Sequence, residues 1–181
     1  KTLQRGSSDG TLSRSTSTSE FMPDVTLHQP RTHSNVDQAL IDLQRGNPVL
    51  VHDAADREGE TDLIYPAHAV QSRAVAHLRN DAGGLICVAL SNEIAEAFDI
   101  PFLADEIDHD AVADYDLSYD ERSSFSLPVN HRKTYTGITD KDRAKTIREL
   151  GHGAQDPERI DFSEEFRVPG HVPMLRGAPG L

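Results

Sequence analysis

Cysteine is nearly absent from this chain of 181 residues: Cys87 stands alone. A single thiol excludes an intrachain disulfide and any metal site built on several cysteines. Long apolar runs are missing too. No stretch approaches the roughly 18–20 residues of a membrane span, and the first 20 residues hold no apolar segment of the secretory-signal kind. The simplest address is the cytoplasm, and no membrane partner is expected. Basic runs are also lacking. Lysine occurs only at Lys1, Lys133, Lys141 and Lys145, against fourteen arginines, and the net charge is −12. Nucleic acid requires a positive face that releases counterions, so it is not an expected partner. Acidity with arginine in place of lysine resembles a halophilic, salt-adapted protein; the plainer reading is an ordinary acidic cytosolic one. No P-loop, GxGxxG, HExxH or GxSxG occurs.

What is present suffices for one domain with a core. Residues 1–21 are rich in Ser, Thr and Gly and poor in large apolar residues. They are expected to form a disordered leader, either transit-like or vector-derived before Met22, with the folded domain over 22–181. "SNVDQALIDLQRG" reads as a helix capped by Ser34, with Val36, Ala39, Leu40 and Leu43 as its apolar stripe and Gly46 as its stop. "PVLVHD" reads as a buried strand. Ser72 caps a second helix to about Asn80, stopped by Gly83-Gly84. "LICVAL" reads as a strand buried on both faces, and Asn92–Phe98 as a short helix. The run "ADEIDHDAVADYDLSYDE" has eight acidic residues and no Lys or Arg, and reads as a solvated connection. "SSFSLPVN" is a strand pushed to an edge by Pro128. "TGITDKDRAKTIRELG" is a loop into a helix capped by Thr139 and closed by Gly151. "FRVPGHVPMLRGAPGL" is loop and strand. Strands and helices mix along one chain, as in α/β or α+β domains.

Three places could carry chemistry. "DAADREGETDLIYPA" sets Asp56, Arg57, Glu58, Glu60 and Asp62 between two apolar segments. Clustered carboxylates can hold Mg²⁺ through oxygen or move a proton next to a carbonyl; a solvated charged loop is the plainer alternative. "RVPGH" places His171 after a rigid Pro-Gly pair, where an imidazole can act as a base or lie merely exposed. "YTGITDKDR" sets Thr136 and Gly137 before a helix N-terminus, a place that favours phosphate, with plain capping by Thr139 as the rival. Cys87 reads as a small buried hydrophobe unless its strand ends at the site.

"DREGETD" with "LIYPA", then "GGLICVAL", "TGITDKDRAKTIREL" and "RVPGHVPMLR", in that order, resemble the 3,4-dihydroxy-2-butanone-4-phosphate synthases of riboflavin biosynthesis, in their archaeal form, from about Asn35 to Leu181. The resemblance implies a single three-layer α/β domain with a mixed sheet, forming a homodimer. It implies a Mg²⁺-dependent lyase, with Mn²⁺ as a substitute, acting on D-ribulose 5-phosphate to give L-3,4-dihydroxy-2-butanone 4-phosphate and formate. Glu58 then falls on the metal ligand and is catalytic with Asp62 and His171. Arg57, Glu58, Asp62, Cys87 and Thr136 fall on substrate positions. The family pattern continues with an "RGGHTE"-like motif carrying a second, histidine ligand. The sequence stops at "RGAPGL", so a C-terminally truncated chain with little or no turnover is expected. The rivals are a noncatalytic sugar-phosphate binding or dimerisation module left by truncation, and an unrelated acidic interaction protein.

Overall fold

The computed structural model describes residues 36–112 and 122–180. The expected leader, the Ser34 cap and residues 113–121 of the acidic connection lie outside the described residues. Helix α1 (Val36–Gln44) ends where Gly46 takes φ +81° and its N–H donates to the Leu43 carbonyl. That positive φ suits glycine. The apolar stripe of α1 is not buried: Val36 is 72% and Leu40 52% exposed.

Strand β1 (Val49–His52) pairs antiparallel with β2 (Thr61–Ile64), Val49 opposite Ile64 and His52 opposite Thr61. The expected buried strand is therefore one arm of an exposed hairpin, with Leu50 70% exposed and Val51 and Ile64 also open. Burial fails for a topological reason. The ribbon has two strands and flanks α1 and the end of the next helix, and among the described residues no further layer covers its outer face. Helix α2 (Ser72–His77) starts one residue earlier than expected, with Gln71 rather than Ser72 at the cap and no side-chain capping bond. It continues as a wider turn, Leu78–Ala82, and stops at Gly83, φ +73°.

Strand β3 (Val88–Leu90) is shorter than "LICVAL" and alternates buried, exposed, buried, so it is not covered on both faces. Helix α3 (Asn92–Ala97) is capped by Ser91, and α4 (Leu103–Glu106) is a single turn. Strand β4 (Val129–His131) is fully buried. Helix α5 (Asp140–Gly153) starts at the expected cap, the Thr139 hydroxyl accepting the Asp142 N–H at 3.1 Å. It runs past Gly151, where a side chain would collide with the Ala67–His68 backbone; this glycine permits close packing and does not end the helix. After α6 (Phe162–Glu165) come β5 (Phe166–Val172) and β6 (Met174–Arg176).

β4 runs antiparallel to β5, and β6 runs parallel to β3. A bridge from Phe125 to Leu175 and bonds from the Ser126 N–H to the Met174 carbonyl and the Arg176 N–H to the Ser124 carbonyl continue the pairing. Residues 124–131 and 166–176 thus form one long ribbon, interrupted at Pro128 and Pro173, which have no N–H to donate. The result is a mixed sheet in an α/β domain. Helices α2 and α5 pack together, and α5 lies on β4 and β5. Val75, Leu150, Val129, Val172 and Met174 are completely enclosed between these elements. Each such aliphatic side chain contributes about 1.5–3 kcal/mol relative to exposure.

Candidate active site

The hairpin presents the charged stretch as a loop. Its organiser is Asp53, a residue the sequence reading passed over. The Asp53 carboxylate accepts the backbone N–H of Ala54 at 2.7 Å, that of Glu58 at 3.1 Å, and Arg57 Nη1 at 3.1 Å. These bonds hold its carboxyl below the usual range, the Glu58 N–H first among them. Gly59, at φ +65°, donates to the Ala54 carbonyl and closes the turn. Arg57 and Glu58 are therefore fixed side by side, Nη1 to Oε2 at 3.8 Å, on an exposed but braced loop.

The carboxylates on this loop repel one another. Glu60 is pushed above its ordinary value, chiefly by the Glu58 charge, then by a hydrogen bond with Glu58 and by Asp62. Crowded hard oxygen donors of this kind are what a divalent cation relieves. Among the described residues, no group of three or more His, Cys, Asp or Glu side chains is placed to enclose a metal. Glu58 and its neighbours fit one side of such an ion, without a closed cage.

Asp62 lies in β2, opposite Val51. Its charge reaches Cys87, whose thiol is pushed up by burial first and by Asp62 second. The thiol is held protonated near neutral pH, so Cys87 offers an S–H and not a nucleophilic thiolate. Cys87 itself lies just before β3, half-buried and outside the strand in which it was expected.

His171 and Thr136 belong to a second group, built on the body of the fold. Asn130, buried in β4, joins them. Its Oδ1 accepts the His171 N–H at 2.9 Å and its Nδ2 donates to His171 Nδ1 at 3.1 Å. Nδ1 also lies 3.3 Å from Asn130 Oδ1, so the Asn130 amide holds this edge of the ring in either tautomer. A side chain at Gly137 would run into the Asn130 amide, and one at Gly170 would overlap the Val129–Asn130 backbone. Asn130 thus sets the imidazole and seats the Thr136–Gly137 turn. Asn is depleted in strands, and that oddity in "PVNH" was the signal available in the sequence.

The Thr136 and Gly137 N–H groups are not open donors. Both donate to Asp142 Oδ2, at 3.2 and 3.0 Å, and the Thr136 hydroxyl lies 3.4 Å from the same atom. The Asp142 carboxylate is held below its ordinary range, first by the Gly137 N–H. The anion at this turn is the chain's own. No hydrogen bond among the described residues joins Glu58, Asp62 or Cys87 to Thr136 or His171; the six expected residues form two groups.

Comparisons with known proteins agree with the residues. A family profile described as 3,4-dihydroxy-2-butanone 4-phosphate synthase matches residues 37–181. A protein of that name from Methanothermobacter thermautotrophicus is 46% identical over 153 residues, covering 80% of this chain and 67% of the relative. One from Archaeoglobus fulgidus is 48% identical over 158 residues, covering 80% and 66%. A crystal structure of a 3,4-dihydroxy-2-butanone 4-phosphate synthase in complex with two magnesium ions superposes with TM-score 0.65 at 29% identity, covering 82% of this chain and 62% of that one. The chain spans about two thirds of the length of the curated relatives it matches.

Proposed function

The chain belongs to the 3,4-dihydroxy-2-butanone 4-phosphate synthase family, and we propose that it serves the conversion of D-ribulose 5-phosphate to L-3,4-dihydroxy-2-butanone 4-phosphate and formate. The observation that carries this reading is the braced loop: Asp53 fixes Arg57 beside Glu58, with Asp62 and Cys87 next to them. A ketose phosphate must lose a proton beside its carbonyl to become an enediol, and the rearrangement needs further proton transfers. Asp62 is the exposed carboxylate for abstraction. The Cys87 S–H and the Arg57 guanidinium are donors to substrate oxygens. His171, with Nδ1 held by Asn130, exchanges protons through Nε2. Thr136 offers its hydroxyl to the sugar phosphate. Glu58 is the protein ligand of a divalent cation, Mg²⁺ or Mn²⁺, which would polarise the substrate's carbonyl and hydroxyl oxygens when bound.

A homodimer belongs to the same reading. The apolar side chains of Val36, Leu40, Leu50 and Val51 stand in solvent and supply a surface that a second copy would bury. No described helix is long and apolar enough to cross a membrane. The experiment is thermal unfolding with and without Mg²⁺ and ribulose 5-phosphate together. Ligand bound only by the folded state raises the midpoint. The reading expects a saturable rise that Glu58→Ala abolishes and Asp62→Asn weakens. An equal rise in wild type and Glu58→Ala would remove Glu58 from the site.

A further inference from the structure

One ion pair spans the elements that carry the two groups of candidate residues. Arg79 lies in the wider turn Leu78–Ala82 that follows α2. That turn packs against β2, the strand of Asp62, and leads through Gly83 to Cys87. Such wide turns recur at functional sites. Across 61 residues of sequence, Arg79 meets Asp140, the first residue of α5. Two residues further on, Asp142 collects the Thr136 and Gly137 N–H groups. The segment entering Cys87 and the turn carrying Thr136 are therefore tied to the same first turn of α5.

The contact is a fork. Arg79 Nε donates to Asp140 Oδ1 at 3.3 Å, and Nη2 donates to Oδ2 at 3.1 Å. The remaining nitrogen, Nη1, donates to Asn80 Oδ1 at 2.9 Å inside the same turn. All three guanidinium nitrogens are engaged, although the side chain is half exposed. Asp140 is steadied in turn by Arg143 Nη2 at 3.2 Å, from a side chain that is largely buried. Fixing a long side chain costs rotamer entropy, and an exposed ion pair contributes little stability against it. What a two-pronged contact does supply is orientation.

We propose that Arg79 and Asp140 are positioning residues. Their pair fixes the Cys87 segment relative to the Thr136–Gly137 turn, and so sets the spacing at which one substrate meets both groups. That use of the spacing rests on the synthase reading; the coupling between the two segments needs only the ion pair.

The test compares ¹⁵N amide spectra of the 181-residue chain in wild type, Arg79→Gln, Asp140→Asn and the double variant. The expected shifts are crossed: Arg79→Gln moves the Thr136 and Gly137 amides, and Asp140→Asn moves that of Cys87. The double variant moves them no further than the larger single change, because two residues acting through one contact are not additive. Arg79→Lys keeps the charge without the fork and shifts the same amides less; it decides if Arg79→Gln does not fold. A second arm follows the unfolding midpoint with Mg²⁺ and ribulose 5-phosphate. Arg79→Gln should raise the half-saturating ribulose 5-phosphate concentration at least about threefold, with little change in the ligand-free midpoint. Shifts confined to each variant's own element, or additive shifts in the double variant, would overturn the coupling. Unchanged half-saturation in Arg79→Gln beside a responding wild type would overturn the positioning role. A wild type with no ligand response breaks the synthase reading instead, and the crossed shifts alone then decide the coupling.

Discussion

The β1–β2 hairpin and the α5 body are built on opposite terms. In the body, Ile147 and Leu150 of α5 share one buried cluster with Val129, Val172 and Met174, and the open apolar side chains, such as Phe125, Ile138 and Val168, lie around it. In the hairpin, Leu50, Val51 and Ile64 are exposed, and the order comes from one carboxylate, Asp53, collecting three donors. The body is held by burial, which is strong and indifferent to ligands. The loop is held by hydrogen bonds in water, each worth only about 0.5–1.5 kcal/mol. Its crowded carboxylates add a repulsion that binding could relieve. Stability and ligand response should therefore separate along the chain.

The largest expected effect lies in the body. Leu150→Ala leaves a cavity beneath α5 and should lower stability by about 2–5 kcal/mol in urea unfolding. A loss below about 1 kcal/mol would mean that α5 is not the centre of the core. Next comes the link between scaffold and site. Asn130→Ala strips His171 of its backbone and ring partners inside the sheet and should cost about 1–3 kcal/mol. The His171 ring signals should shift with it in an NMR titration; unmoved signals would show that Asn130 does not set the imidazole.

The third effect is a slope with pH. His131 is buried in β4, its Nδ1 accepting the Lys133 N–H at 3.0 Å and its Nε2 facing Glu165 at 3.1 Å. Burial, then Lys145, push its pKa below the ordinary value, against Glu149 and Glu165, which raise it. The unfolded chain therefore binds this proton more readily. Stability contributed by neutral His131 is full above about pH 6.5 and declines as pH falls from there toward the folded value. His131→Gln should flatten that part of the stability–pH curve; an unchanged slope would place the titration elsewhere. The smallest effect is in the hairpin. Leu50→Asn should change stability by less than about 0.5 kcal/mol, while lowering self-association in light scattering. A loss comparable to Leu150→Ala would erase the contrast between the two regions.

The body was the more legible region. Thr139 and Asp142 announced the start of α5, and Gly46 and Gly83 marked real stops, because caps and positive-φ glycines are local events. "PVLVHD" and "LICVAL" misled because an apolar run does not say whether a layer will cover it. β1 pairs in an uncovered ribbon, and β3 shortens to three residues where its partner β6 does. At the site, the charged residues stood out by their density. Asp53 and Asn130 did not, because their importance comes from partners: the Asp53 bonds span the loop to Glu58, and those of Asn130 reach 41 residues to His171.

The central claim is that the loop braced by Asp53 receives a divalent cation while the body serves as its scaffold. Paramagnetic Mn²⁺, added in small increments to ¹⁵N-labelled protein, reads this directly through line broadening. The account predicts that the amides of Glu58, Glu60, Asp62 and Cys87 broaden first, and that Asp53→Ala weakens the effect without unfolding α5. Broadening centred on another acidic stretch, such as Asp105–Asp110, with the hairpin loop left sharp, would contradict it.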